Sequence, residues 1–125
     1  MANFTGVGPA LPAKDIERAK SWYADKLGLK PNEESVEGLT YEIGESKFLL
    51  YPSQFAGTNQ ATAATFFVDD AEAVMEELRA NGVTFEEYDL PGVKTEGGMM
   101  TSETAKGGWF KDTEDNILAL LQRLQ

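Results

Sequence analysis

Lys14-Asp15-Ile16-Glu17-Arg18-Ala19-Lys20-Ser21-Trp22-Tyr23-Ala24-Asp25-Lys26-Leu27-Gly28 reads as one capped helix. Asp15 suits the N-cap, because its short carboxylate can accept from amides left open in the first turn. Glu17 then lies where the helix dipole favours negative charge. Ile16, Ala19, Tyr23 and Leu27 recur at helical spacing with Trp22 beside them, which makes one buried stripe. Gly28 provides the stop. Farther along, Asp69-Asp70 opens a second helix with apolar positions Ala71, Val74, Met75 and Leu78, and Asn81-Gly82 closes it. Asp15 to Gly28 is thirteen residues, Asp69 to Gly82 is thirteen residues, and the offset is 54. Such an echo points to two copies of one unit.

Strands flank each helix. Gly6 to Ala13 is a short apolar stretch whose prolines, Pro9 and Pro12, suit an edge. Leu39 to Ile43 alternates, Gly44-Glu45-Ser46 turns, and Lys47 to Tyr51 returns, which predicts a hairpin ended by Pro52. Ala61 to Val68 reads as the strand before the second helix, and Val83 to Tyr88 as an alternating strand after it. Leu90 to Gly108 shows no clear period and reads as a long Gly-rich loop. Gly108 to Lys111, the turn Asp112 to Asn116, and Ile117 to Leu121 form a closing hairpin. The order predicts an α+β fold: two βαβββ modules, about 1–57 and about 58–125, forming a cupped mixed sheet with helices on its outer face. The inner face of the curve is then the natural place for a ligand.

Composition narrows the function. The chain has 125 residues, 11 Lys+Arg against 21 Asp+Glu, and a net charge of −10. That length suits one domain with a real core. Its charge disfavours nucleic acid and anionic membrane partners, and no apolar run is long enough to span a bilayer. No basic-then-apolar leader opens the sequence, so a soluble, cytoplasmic chain is expected. Cys and His are both absent. Disulfides, thiolate metal sites and thiol catalysis are excluded, and so are the commonest metal ligand and general base.

Three segments resemble one superfamily. Leu11-Pro12-Ala13-Lys14-Asp15-Ile16-Glu17-Arg18-Ala19-Lys20-Ser21-Trp22-Tyr23 with Leu27-Gly28-Leu29 is similar to the opening of the glyoxalase / bleomycin resistance protein / extradiol dioxygenase (vicinal oxygen chelate) superfamily. Phe67-Val68-Asp69-Asp70 with Leu78 and Gly82-Val83 resembles the start of its second module, and Trp109 to Leu120 its closing hairpin. The resemblance implies paired βαβββ modules around a cup, a homodimer, and a divalent metal held by His, Glu or Gln. Carried over by position, the metal-ligand places fall on Gly8, on Leu49 or Leu50, on Ala63 and on Ala119. None of these side chains offers a donor atom, whereas divalent ions need oxygen or nitrogen at about 2.0–2.6 Å. Metal-dependent glyoxalase or dioxygenase activity is therefore disfavoured, and no cofactor or metal is expected.

The expected ligand-binding set is Gly8, Ala10, Leu50, Ala63, Thr65, Met99, Met100, Trp109, Ile117 and Ala119. Small residues would leave space where an ion would sit, Trp109 would form an aromatic wall, and Met99 and Met100 would form an adaptable lid. No catalytic residue is assigned. Glu42, Glu86, Tyr41, Tyr51 and Tyr88 are titratable, but no spacing pairs them. The reading is a metal-free protein that binds a small apolar or aromatic molecule, a cationic one included. The alternative is an enzyme of the same superfamily, a lyase, isomerase or dioxygenase with a non-standard site.

Overall fold

The computed structural model describes residues 2–124. Its elements follow in the order β1 (Ala10–Ala13), α1 (Ile16–Trp22), β2 (Glu33–Ser35), β3 (Gly38–Ile43), β4 (Ser46–Pro52), β5 (Thr62–Phe67), α2 (Ala71–Ala80), β6 (Asp89–Leu90), β7 (Val93–Glu96), β8 (Met99–Thr101), β9 (Ala105–Lys111) and β10 (Ile117–Arg123). The Asp15 carboxylate accepts from the Arg18 amide at 3.0 Å, and the Asp70 carboxylate accepts from Ala73 at 3.1 Å. Both helices thus start as local chemistry dictates. α1 runs on as a π-helical turn over Tyr23–Leu27 and stops at Gly28, whose φ of 69° suits glycine.

Two mixed sheets result, in the orders β1-β4-β3-β2 and β5-β10-β9-β8-β7-β6. β1 pairs parallel with β4, and β5 with β10. A parallel pair needs a crossover, and each crossover here carries a helix. One face of each sheet meets the helices. Leu11, Ala13, Tyr41, Phe48 and Leu50 cover that face of the first sheet, and Phe110, Leu118 and Leu120 that of the second. The core is shared between the sheets. Phe48 meets Phe66 edge-on at 5.7 Å, and Trp22 stacks on Phe110 at 6.3 Å.

A buried polar knot joins the two halves of the chain. The turn after β9 places Asp112, Glu114 and Asn116 against the start of α1. Glu114 accepts from the amides of Lys14 at 2.9 Å and Asp15 at 3.0 Å, and from both forks of Arg18 at 2.9 and 3.0 Å. Asp112 accepts from the Tyr23 hydroxyl at 2.6 Å and from the amides of Glu114 and Asn116. Asn116 also donates to the carbonyl of Pro12. Burial raises the Asp112 carboxyl despite these bonds, and burial with Asp112 beside it pushes the Tyr23 phenol well up.

Three expectations change. The first strand is shorter, Ala10–Ala13 rather than from Gly6. Val83 to Tyr88 is no strand. It makes one bridge, Phe85 to Phe110, and Glu86 donates to the Trp109 carbonyl. β8 takes the adjoining stretch of the same β9 edge. The supposed loop from Leu90 to Gly108 is a meander of β6, β7, β8 and the first residues of β9. Gly97-Gly98 makes its tight turn with φ of 58° and 79°, a pair of positive values that only glycine takes freely. The acidic run at Glu33-Glu34 is exposed and is also an edge strand, β2. Among the described residues no helix is long and apolar enough to cross a membrane.

Candidate functional site

Strand alternation assigns each side chain to the helix face or to the opposite, open face. On the first sheet, Leu49 pairs with Ala10 and Thr40, and Tyr51 with Pro12, opposite in sense to the buried Leu11, Leu39 and Leu50. Ala10, Pro12, Thr40, Leu49 and Tyr51 therefore share the open face. On the second sheet, Ala119 lies between Thr65 of β5 and Trp109 of β9. Ile117 stands one position along on the same face, and Met100 joins it through Gly107. Thr65 is exposed and Trp109 and Ile117 are half-buried, so the chain by itself leaves this face open.

Trp109 is held in place. Its indole N–H donates to the Thr62 hydroxyl at 3.2 Å, and Tyr88 meets its ring edge-on at 5.3 Å. One flat indole face flanked by small and apolar side chains is suited to stacking against a planar group. Farther along the face, Arg123 lies over the exposed Phe67 ring at 5.4 Å. The charge here is balanced. Lys47, Lys111 and Arg123 share the open faces with Glu33, Glu42 and Glu86, and Lys111 stands 3.8 Å from Glu86. The acidic excess of the chain lies elsewhere.

The structure brings Thr65, Met100, Trp109, Ile117 and Ala119 onto one face and sets Ala10 on the open face of the other sheet. It does not bring the remaining four there. Leu50 is fully buried on the helix side, and Leu49 takes the open face instead. Gly8 lies outside β1, and a side chain there would run into the Lys47 carbonyl. Ala63 is skipped by a register shift, since Thr62 pairs with Ile117 and Ala64 with Leu118. It packs partly against the core. Met99 packs there too, and both methionines sit in β8 between two strands, which removes the lid. Thr62, Leu49 and Tyr88 were not in the expected set. The alternation Lys47-Leu49-Tyr51 carries the signal for Leu49, while Thr62 needs the bulge.

The titratable candidates are spread apart. Glu42 and Tyr51 belong to the first sheet, and Glu86 and Tyr88 border β9. Tyr41 is on the buried side, its hydroxyl has no partner, and burial with Glu34 nearby pushes it up to about 12. A divalent ion fits poorly here. The residues at the expected metal-ligand places, Gly8, Leu49, Ala63 and Ala119, carry only hydrogen or hydrocarbon. Among the described residues no three His, Cys, Asp or Glu side chains gather to hold a metal.

Comparison with known proteins agrees with this architecture. The model of the Glyoxalase/Bleomycin resistance protein/Dioxygenase superfamily matches residues 7–120. Among curated proteins none matches. A glyoxalase/bleomycin resistance protein/dioxygenase from Alicyclobacillus acidocaldarius superposes with a TM-score of 0.72 at 17% identity, covering 100% of this chain and 96% of that one. UcmS2 gives 0.71 at 18% identity, covering 94% and 98%. A lactoylglutathione lyase from Agrobacterium tumefaciens gives 0.68 at 16% identity, covering 97% and 96%. At such identities the likeness speaks for the fold alone.

Proposed function

We propose, for a chain that belongs to the Glyoxalase/Bleomycin resistance protein/Dioxygenase superfamily, that it binds a small planar organic molecule without a metal and releases it unchanged. One observation carries the reading. The pinned indole of Trp109 borders Ala119, a methyl group where the superfamily's enzymes are expected to place a ligand atom. An apolar floor with an aromatic wall favours capture, whereas hydrolysis or isomerisation needs a positioned acid or base. The balanced local charge gives an aromatic ring more weight than a positive charge in selection. A cation still benefits from the long-range field of a chain with net charge −10.

A second copy would complete the site. Phe67 is 63% exposed and Thr65 is exposed beside it, on an edge strand without a charged residue. Such edges and faces invite pairing. In this reading the functional unit is a homodimer in which each protomer covers the other's open face.

Calorimetry of the purified chain against planar aromatic compounds, neutral and basic, tests the reading, with metal analysis of the same sample. Saturable binding at one site per chain, lost on replacing Trp109, is expected. One tightly held divalent ion per chain would sink it, as would silence across the whole series.

A further inference from the structure

A second cavity lies on the helix side and reaches Phe67 at the β5 edge. It is a crevice of about 190 Å³ between α2, β5 and the segment following α1. Leu27, Leu29, Phe66, Val74 and Leu78 line it, with the buried Phe110 and Leu120 at its floor. Glu77 is the one charged group on its wall. It is exposed, and among the described residues no salt bridge holds it. Water gains little inside, because water needs two to four polar partners and these walls are hydrocarbon. An enclosed apolar cavity of about 150 Å³ accepts benzene, which sets the size of ring that this half-open crevice can hold. The unpaired carboxylate at the rim adds a preference of sign, since a cation placed there meets a partner and an anion meets repulsion.

We propose that this crevice binds a small single-ring organic cation, its ring against Val74 and Leu78 and its ammonium at Glu77. The site is separate from the Trp109 face, so each stands or falls alone. Methyl-resolved NMR titration of the full chain with benzylamine, benzyl alcohol and phenylacetate tests it. Benzylamine is expected to move the methyl signals of Leu29, Val74 and Leu78 saturably. Benzyl alcohol should bind about threefold more weakly, the scale of one exposed ion pair, and phenylacetate more weakly still. E77Q is an exposed change that preserves the fold, and it should bring benzylamine to the affinity of the alcohol. V74F should fill the crevice and abolish binding. The proposal is overturned if these methyls stay still while the Trp109 indole signal moves, or if E77Q leaves the order of the three probes unchanged. It is also overturned if the same methyls shift on simple dilution, which would place a second copy over the crevice.

Discussion

Replacing Glu114 should weaken the fold by about 3 kcal/mol, and for Glu114→Gln, which keeps an acceptor oxygen, the loss should vanish in acid. The side chain is fully buried, and its two oxygens accept from two backbone amides and both forks of Arg18. Arg18 is 51% exposed, so its ion pair contributes only on the order of 0.2–1 kcal/mol. The amides of Lys14 and Asp15 would lose their acceptor in Glu114→Ala, at roughly 1–3 kcal/mol each where water cannot replace it. Both residues lie toward the surface, which favours the lower end and a total near 3 kcal/mol. Proton linkage leads to the same figure. Burial by itself would raise the carboxyl. The hydrogen bonds from Arg18 and the Asp15 amide outweigh it and hold the group at about 2, against an ordinary 4.5. A carboxyl so depressed favours the fold by about 3 kcal/mol above its unfolded value. That stability is lost as pH falls from 4.5 through 2. Urea unfolding of the wild type and Glu114→Gln between pH 7 and pH 2 is the assay. A gap of roughly 2–3 kcal/mol at neutral pH should close toward pH 2. A gap under about 0.5 kcal/mol, or one indifferent to pH, would refute the reasoning.

Three further outcomes are expected. Leu50→Ala should cost about 2–5 kcal/mol as a core truncation, whereas Leu49→Ala should cost under about 1 kcal/mol, and chemical denaturation of the pair reads the register of β4 directly. Gly107→Ala should destabilise by about 1–3 kcal/mol or more, because its new methyl meets the Leu120 carbonyl, and a lowered melting temperature measures this. Trp109→Ala should cost only about 1 kcal/mol in urea, since its indole is half-buried, yet abolish calorimetric binding of planar aromatics; retained binding would remove the indole from the site.

Local chemistry by itself determined both helices. Asp15 with Gly28 and Asp70 with Asn81-Gly82 satisfy or terminate their own backbone groups, and they do so wherever the rest of the chain goes. The Gly44 hairpin and the closing turn at Asp112 to Asn116 were legible for the same reason. Pairing between distant segments decided the rest. Val93-Lys94-Thr95-Glu96 has little hydrophobic signal of its own and becomes a strand because β8 and β6 lie alongside it. Val83 to Tyr88 has the alternation of a strand, yet it meets β9 only beside the stretch that β8 occupies.

The faces of the expected residues divide along the same line. That Trp109 faces with Lys111, and Ala119 with Ile117, was readable, because a period of two within one strand fixes which residues share a face. Leu49 and Leu50 are chemically alike, and only the partner strands say which is buried. Ala63 was lost to a one-residue register shift that no composition reveals. Nearest-neighbour chemistry is written along the chain. Which edge accepts which strand is settled by competition among backbone donors far apart in sequence, and that contest exists only once the chain has folded.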